Sequence, residues 1–96
     1  MMASEGEFEW HIPKAESNIA KHGISFEEAA TIFNDFGIIC YDDTEHSRAE
    51  ERQIAIGYSS QNHLLTVFFT ETINNKIRII SARRATSIER KLYENA

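Results

Sequence analysis

Three arginines and a lysine–histidine pair are the residues of this chain best suited to chemistry. Arg78, Arg83 and Arg84 stand in the run Lys76-Ile77-Arg78-Ile79-Ile80-Ser81-Ala82-Arg83-Arg84, and Lys21-His22 comes much earlier. A guanidinium is planar, permanently charged and able to grip two phosphate oxygens at once. Histidine is the side chain whose ordinary titration range lies nearest neutrality, and lysine adds a point charge. Such a set can hold a phosphate and move a proton. The surrounding charge sharpens the point. Residues 1–51 hold twelve Asp/Glu against three Lys/Arg, whereas residues 52–96 hold three acids against seven bases. Six of the ten basic residues fall within 76–91, so an acidic chain of net charge −5 gathers its positive charge in one segment. That pattern fits a local anion site and argues against indiscriminate nucleic-acid binding, which shows as an overall basic balance.

The elements that must position these groups follow from periodicity and punctuation. Ninety-six residues make one domain, with residues 1–7 read as a flexible polar start and 8–96 as the folded unit. Phe8-Glu9-Trp10 reads as a short edge strand. Pro13 suits the first turn of a helix that ends at Gly23, so Lys21 and His22 fall where the helix dipole already favours positive groups. Ser25 with Glu28 forms a capping-box pattern, and Phe26, Ala29, Ala30 and Phe33 make the apolar stripe of a second helix. Strands are expected over 38–41, 52–58, 64–70 and 77–81, with turns at Ser59–Asn62 and Asn74-Asn75. Thr86 with Glu89 caps a last helix over 87–94. The expected fold is α+β: two N-terminal helices and a C-terminal helix packed on one face of an antiparallel meander. The single cysteine, Cys40, reads as a buried small hydrophobe in a reducing, cytoplasmic setting, and no run of residues is apolar enough to span a membrane.

The ordered motifs Phe8-Glu9-Trp10, Lys21-His22-Gly23-Ile24-Ser25-Phe26-Glu27-Glu28-Ala29, Glu50-Glu51-Arg52 with Ile54-Ala55-Ile56-Gly57, and Arg78-Ile79-Ile80-Ser81-Ala82-Arg83 with Glu89 and Tyr93 resemble the BrnT-type toxins. The resemblance spans roughly residues 8–94. It implies a RelE/ParE-like fold and an endoribonuclease that cleaves mRNA and arrests translation. It also implies a cognate ribbon-helix-helix antitoxin of the BrnA type, through which alone operator DNA is reached. His11 departs from the acidic residue common after the tryptophan in that family, which bears on helix capping.

Cleaving RNA through its own 2′-hydroxyl needs a proton acceptor, charge at the phosphorane and a proton for the leaving oxygen. Arg83, at the end of its strand and within the family motif, is the first choice for the phosphorane, because preorganised charge is the largest catalytic contribution. Arg78 is second: it projects opposite Ile77 and Ile79, sharing parity with Ile80 and Ala82, and so stands on the open face if helices cover the other. His22 and Lys21 are the proton-transfer and charge candidates. Arg84 and Trp10 are assigned to RNA binding, and Tyr93 is weighed as a base-stacking ring, although Trp10 beside Phe8 also reads as core. His11, His46 and His63 read as surface residues. Asp42, Asp43 and His46 match no specific metal spacing, so neither metal nor cofactor is expected. The rival readings are a non-catalytic partner-binding or co-repressor module and a ParE-like gyrase inhibitor.

Overall fold

The computed structural model describes residues 1–45 and 51–96. It contains six strands and three helices among those residues, in the order β1 (Met2–Glu5), β2 (Phe8–His11), α1 (Ile12–His22), α2 (Phe26–Ala30), β3 (Ile39–Asp42), β4 (Gln53–Tyr58), β5 (Leu64–Glu71), β6 (Ile77–Arg84) and α3 (Ser87–Glu94). A turn of 3-10 helix, Thr31–Asn34, extends α2. The strands form one sheet in the order β1-β2-β6-β5-β4-β3. All neighbours are antiparallel except β2 and β6, which run parallel through Phe8↔Ile77, Glu9↔Arg78 and Trp10↔Ile79. The α+β class therefore stands, with a mixed rather than purely antiparallel sheet. Parallel pairing requires a long crossover, and here residues 12–76, about two-thirds of the chain, separate the two strands.

Two expectations change at the N-terminus. The polar start forms β1, so Phe8–His11 is an inner strand and not the edge. His11 is the N-cap of α1 but makes no side-chain cap. Instead the Met1 carbonyl accepts from the Ile12 N–H at 2.9 Å, doing part of that work. The other end of α1 closes as expected: Gly23 adopts φ +70° and its N–H bonds the Ile19 carbonyl at 2.8 Å.

α1 and α2 pack against β6 on one face of the sheet. The core between them contains Trp10, Ile24, Phe26, Ala29, Ile32, Leu65, Val67, Phe69, Ile79 and Ala82. Aromatic edges lock it: Trp10 meets Phe26 at 6.1 Å and Phe33 meets Phe69 at 5.2 Å, both T-shaped. α3 lies on the opposite face, a correction to the one-face layout. Its Glu89 takes a bond from Thr66, which strand alternation turns away from the buried Leu65 and Val67. A β-bulge decides what β6 presents. Phe68 pairs with Ser81 and Phe69 with Ile79, leaving Ile80 as the extra residue. Ala82 thereby returns to the helix-covered face instead of sharing Arg78's side, while Arg83 joins Arg78 on the other.

Beyond Ile79, β2 has turned away and β6 would have a bare edge. Asn18 of α1 seals it. Its amide donates to the Ala82 carbonyl at 2.8 Å and the Ile24 carbonyl at 2.9 Å, and its carbonyl oxygen accepts from the Ala82 N–H at 3.1 Å. Buried backbone groups need such partners. The seal brings the end of α1, with Lys21 and His22, to the edge of β6. No helix among the described residues is long and apolar enough to cross a membrane.

Candidate active site

Arg83 leaves β6 on the face shared with Thr66, Phe68 and Ser81. Its guanidinium lies 5.5 Å from the centre of the Phe68 ring. It does not stand alone. Nη1 donates to Glu89 Oε1 at 2.7 Å and Nη2 to Glu89 Oε2 at 3.0 Å, a forked pair. Glu89 is also the third residue of α3, and its Oε1 accepts from the Thr86 N–H at 2.8 Å and the Thr66 hydroxyl at 2.9 Å. Burial pushes the Glu89 carboxyl up, but Arg83, the Thr86 N–H and Thr66 outweigh it and hold it down at about 2. Glu89 is thus a fixed carboxylate rather than a proton donor. The hydrogen bond to Glu89 raises Arg83 further from deprotonation. Tyr41 on β3 feels the same pair: burial first, then the Glu89 charge, pushes its phenol up.

Arg78 also stands on this face, as its parity required, but it too is paired. Its Nε and Nη2 both donate to Glu9 Oε2, at 2.9 and 2.8 Å. The hollow of ≈ 630 Å³ beside it is lined by Glu51 and Glu71 as well. Phosphate would meet carboxylates there, so Arg78 is a poor anion site as placed.

Lys21 and His22 are exposed and, among the described residues, no other side chain holds them. With Lys14 and Asn18 they line a recess of ≈ 170 Å³ whose floor is Ile80 and Ser81. A second recess of ≈ 200 Å³, lined by Asp43, Arg52 and Phe68, shares Ile80 and Ser81. The two hollows flank the bulge, so the bases of α1 and the Phe68 ring that carries Arg83 approach one stretch of β6 from its two sides. Arg84 points the other way and is exposed; its Nη2 lies 3.2 Å from His63 Nε2.

Several assigned residues do other work. Trp10 is only 4% exposed and packed on Phe26, so no face of its ring is open to a base. Its core reading replaces the RNA-binding one. Tyr93 donates to Asp35 Oδ2 at 2.7 Å and sits 5.4 Å from the Tyr58 ring, fastening α3 to the body. The bond to Asp35 pushes its phenol up to about 12. Cys40 is exposed rather than buried, because β3 is the outermost strand. Asp43 is buried and Asp42 exposed, while His46 and Glu50 lie outside the described residues. Among the described residues no three His, Cys, Asp or Glu side chains gather as a metal site would require.

Sequence reasoning missed three partners. Glu89 was visible as a cap, but its grip on Arg83 was not. Tyr41 carried no signal. Glu28, read as half of a capping box, leaves the Ser25 hydroxyl to accept the Glu28 N–H at 3.0 Å and turns its own carboxylate inward. There it meets His63, which is therefore not a free surface residue.

Comparison with known proteins agrees with this architecture. No curated protein sequence matches the chain. The crystal structure described as "1.1 Angstrom-resolution crystal structure of the Brucella abortus ribonuclease toxin, BrnT" is similar, with a TM-score of 0.62 and 26% identity. The similarity covers 81% of this chain and 94% of that one. The family model for "Ribonuclease toxin, BrnT, of type II toxin-antitoxin system" matches residues 10–89, from the buried Trp10 through the Arg83–Glu89 pair. With that span and this fold, the chain belongs to the BrnT family of ribonuclease toxins of type II toxin–antitoxin systems.

Proposed function

We propose that this chain is a cytoplasmic endoribonuclease that cuts mRNA and so arrests translation. Arg83 stabilises the phosphorane as a ribose 2′-hydroxyl attacks the neighbouring phosphate. The observation that carries this reading is that Phe68, under the Arg83 guanidinium, lines one of two hollows that share Ile80 and Ser81, and Lys14, Lys21 and His22 of α1 line the other. A guanidinium has five N–H donors; Glu89 takes two of Arg83's and the Arg84 carbonyl a third, at 3.4 Å. The two donors left over can meet phosphate oxygens on a guanidinium that Glu89 already holds in place, which is the form of preorganisation that counts most in catalysis. Lys21 adds charge, and His22 is the proton-transfer candidate on the same side. Cationic side chains supply the charge that a metal ion would otherwise bring, so cleavage proceeds in the presence of a chelator. A ribbon-helix-helix antitoxin of the BrnA type neutralises the toxin and carries the complex to operator DNA.

The test is cleavage of a defined RNA by the purified chain in EDTA, alongside growth on expression. Arg83→Ala should lower the rate by roughly 100-fold or more, and Arg83→Lys should recover little, since lysine lacks the fork. Parental cleavage by a folded Arg83→Ala protein would sink the assignment. A second reading, a copy that only docks partners, draws on the carboxylate pairing of both Arg78 and Arg83. It predicts harmless accumulation of folded protein and intact RNA in the same assay.

A further inference from the structure

On the face opposite Arg83, a cluster gathers that the cleavage site does not use. Glu28, on α2, has a side chain only 5% exposed, and its Oε2 receives His63 Nδ1 at 2.8 Å and the Ser59 hydroxyl at 2.6 Å. Ser59 Oγ in turn accepts from the N–H groups of Gln61 and His63, both at 3.2 Å. Its hydrogen is committed to Glu28, so Ser59 is a strut and not a nucleophile. The carboxylate accepts and cannot donate, which places the ring hydrogen on Nδ1. Arg84 Nη2, 3.2 Å from Nε2, can only donate. Both neighbours therefore demand the same tautomer, with a lone pair on Nε2 aimed at the surface beside a guanidinium. The charged groups facing the ring are Glu28 from α2 and Arg84 from β6. The imidazole is 29% exposed in its side chain, and Arg84 is exposed.

We propose that His63 and Arg84 form a subsite that reads ribose in a single RNA strand, deepening the ribonuclease reading and resting on it. An acceptor fixed next to a phosphate-seeking donor matches one repeat of that polymer. The 2′-hydroxyl donates to His63 Nε2, replacing the Arg84 N–H, and the released guanidinium takes the adjoining phosphate. Deoxyribose has no hydroxyl to offer, so the pair favours RNA over DNA. Arg84 itself contacts what both polymers share. Arg83 and Arg84 are consecutive on a strand and face opposite sides, so an RNA strand passing round the end of β6 meets the cleavage site on one face and this subsite on the other. Glu28 is a positioning residue that touches no nucleotide.

The experiment measures dissociation constants for a labelled single-stranded RNA and the DNA of the same sequence on an Arg83→Ala background, in which cleavage is suppressed, with electrophoresis confirming that the probes stay intact. The variants are His63→Asn and Arg84→Ala. Asparagine keeps a donor for Glu28 but cannot reach outward to a sugar. His63→Asn should cut the RNA-over-DNA preference by about five- to tenfold while DNA affinity stays parental, which also reports an intact fold. Arg84→Ala should weaken both polymers by a similar factor and leave the ratio alone. An unchanged ratio in His63→Asn, or equal loss toward both polymers, overturns the subsite while RNA cleavage by the parent still stands. If the parent neither binds nor cuts RNA, the ribonuclease reading falls and the subsite with it.

Discussion

At the scale of single residues, the carboxylate partners define what the basic groups can do. Glu89 holds Arg83, Thr66 and the Thr86 N–H together, and its carboxyl sits at about 2 in the folded protein. An unfolded glutamate titrates near 4.3. A depressed carboxyl contributes stability above its unfolded value and loses it as pH falls toward the folded one. Thermal unfolding followed from pH 6 downward should therefore show Tm dropping between roughly pH 4.3 and 2. Glu89→Gln should flatten that part of the drop; an unchanged slope would place the acid sensitivity elsewhere. Trp10 makes the opposite kind of statement. At 4% exposure it is structural, and Trp10→Ala should cost about 3–5 kcal/mol in urea unfolding. The arginines were legible from residue type and strand position, and Arg78's open face from alternation. Their partners were not: Glu9 lies 69 residues from Arg78, and Glu28 lies 35 from His63. Local spacing carries no trace of such pairs.

At the scale of elements, the two helical layers are attached by different physics. α1 and α2 bury apolar surface, whereas α3 buries none of its residues fully and is held by polar contacts. Asp35 is the anchor. Burial pushes its carboxyl up, but hydrogen bonds from the Tyr58 and Gly37 N–H groups and the Tyr93 hydroxyl bring it below its ordinary range. A Cβ on Gly37 would stand 2.6 Å from the Tyr93 hydroxyl, so Gly37→Ala should expel that ring. Amide exchange in α3 should then quicken while β5 stays protected. The seal on β6 is tested by Asn18→Ala, which strips partners from both backbone groups of Ala82. A loss of about 2–4 kcal/mol with unchanged m-value is expected from urea titration. Helix ends were well read, because caps at Ser25, Thr86 and Gly23 are local codes. β1 and the bulge were not. Met2–Glu5 has no apolar alternation to announce a strand, and the extra Ile80 exists only relative to β5.

At the scale of the molecule, a chain of net charge −5 handles a polyanion only where its bases gather. If contacts to RNA come from Arg83, Arg84 and Lys21, about three phosphates are neutralised, and log K against log salt should fall with a slope near −2. Anisotropy titrations of a labelled 2′-deoxy strand would measure it; a much steeper slope would mean a broader footprint than this surface offers. The α+β class was legible from element order, but the strand order was not, since β2 finds its second partner, β6, only across the crossover. That parallel pairing also bears on biosynthesis. β6, the strand that β2 and α1 require, is made after the other five, so until it emerges the N-terminal third has only the β1–β2 pairing to hold it. A nascent chain halted before Ile77 should stay sensitive to protease. A ribonuclease toxin would thus have no assembled fold on the ribosome before its sixth strand is made.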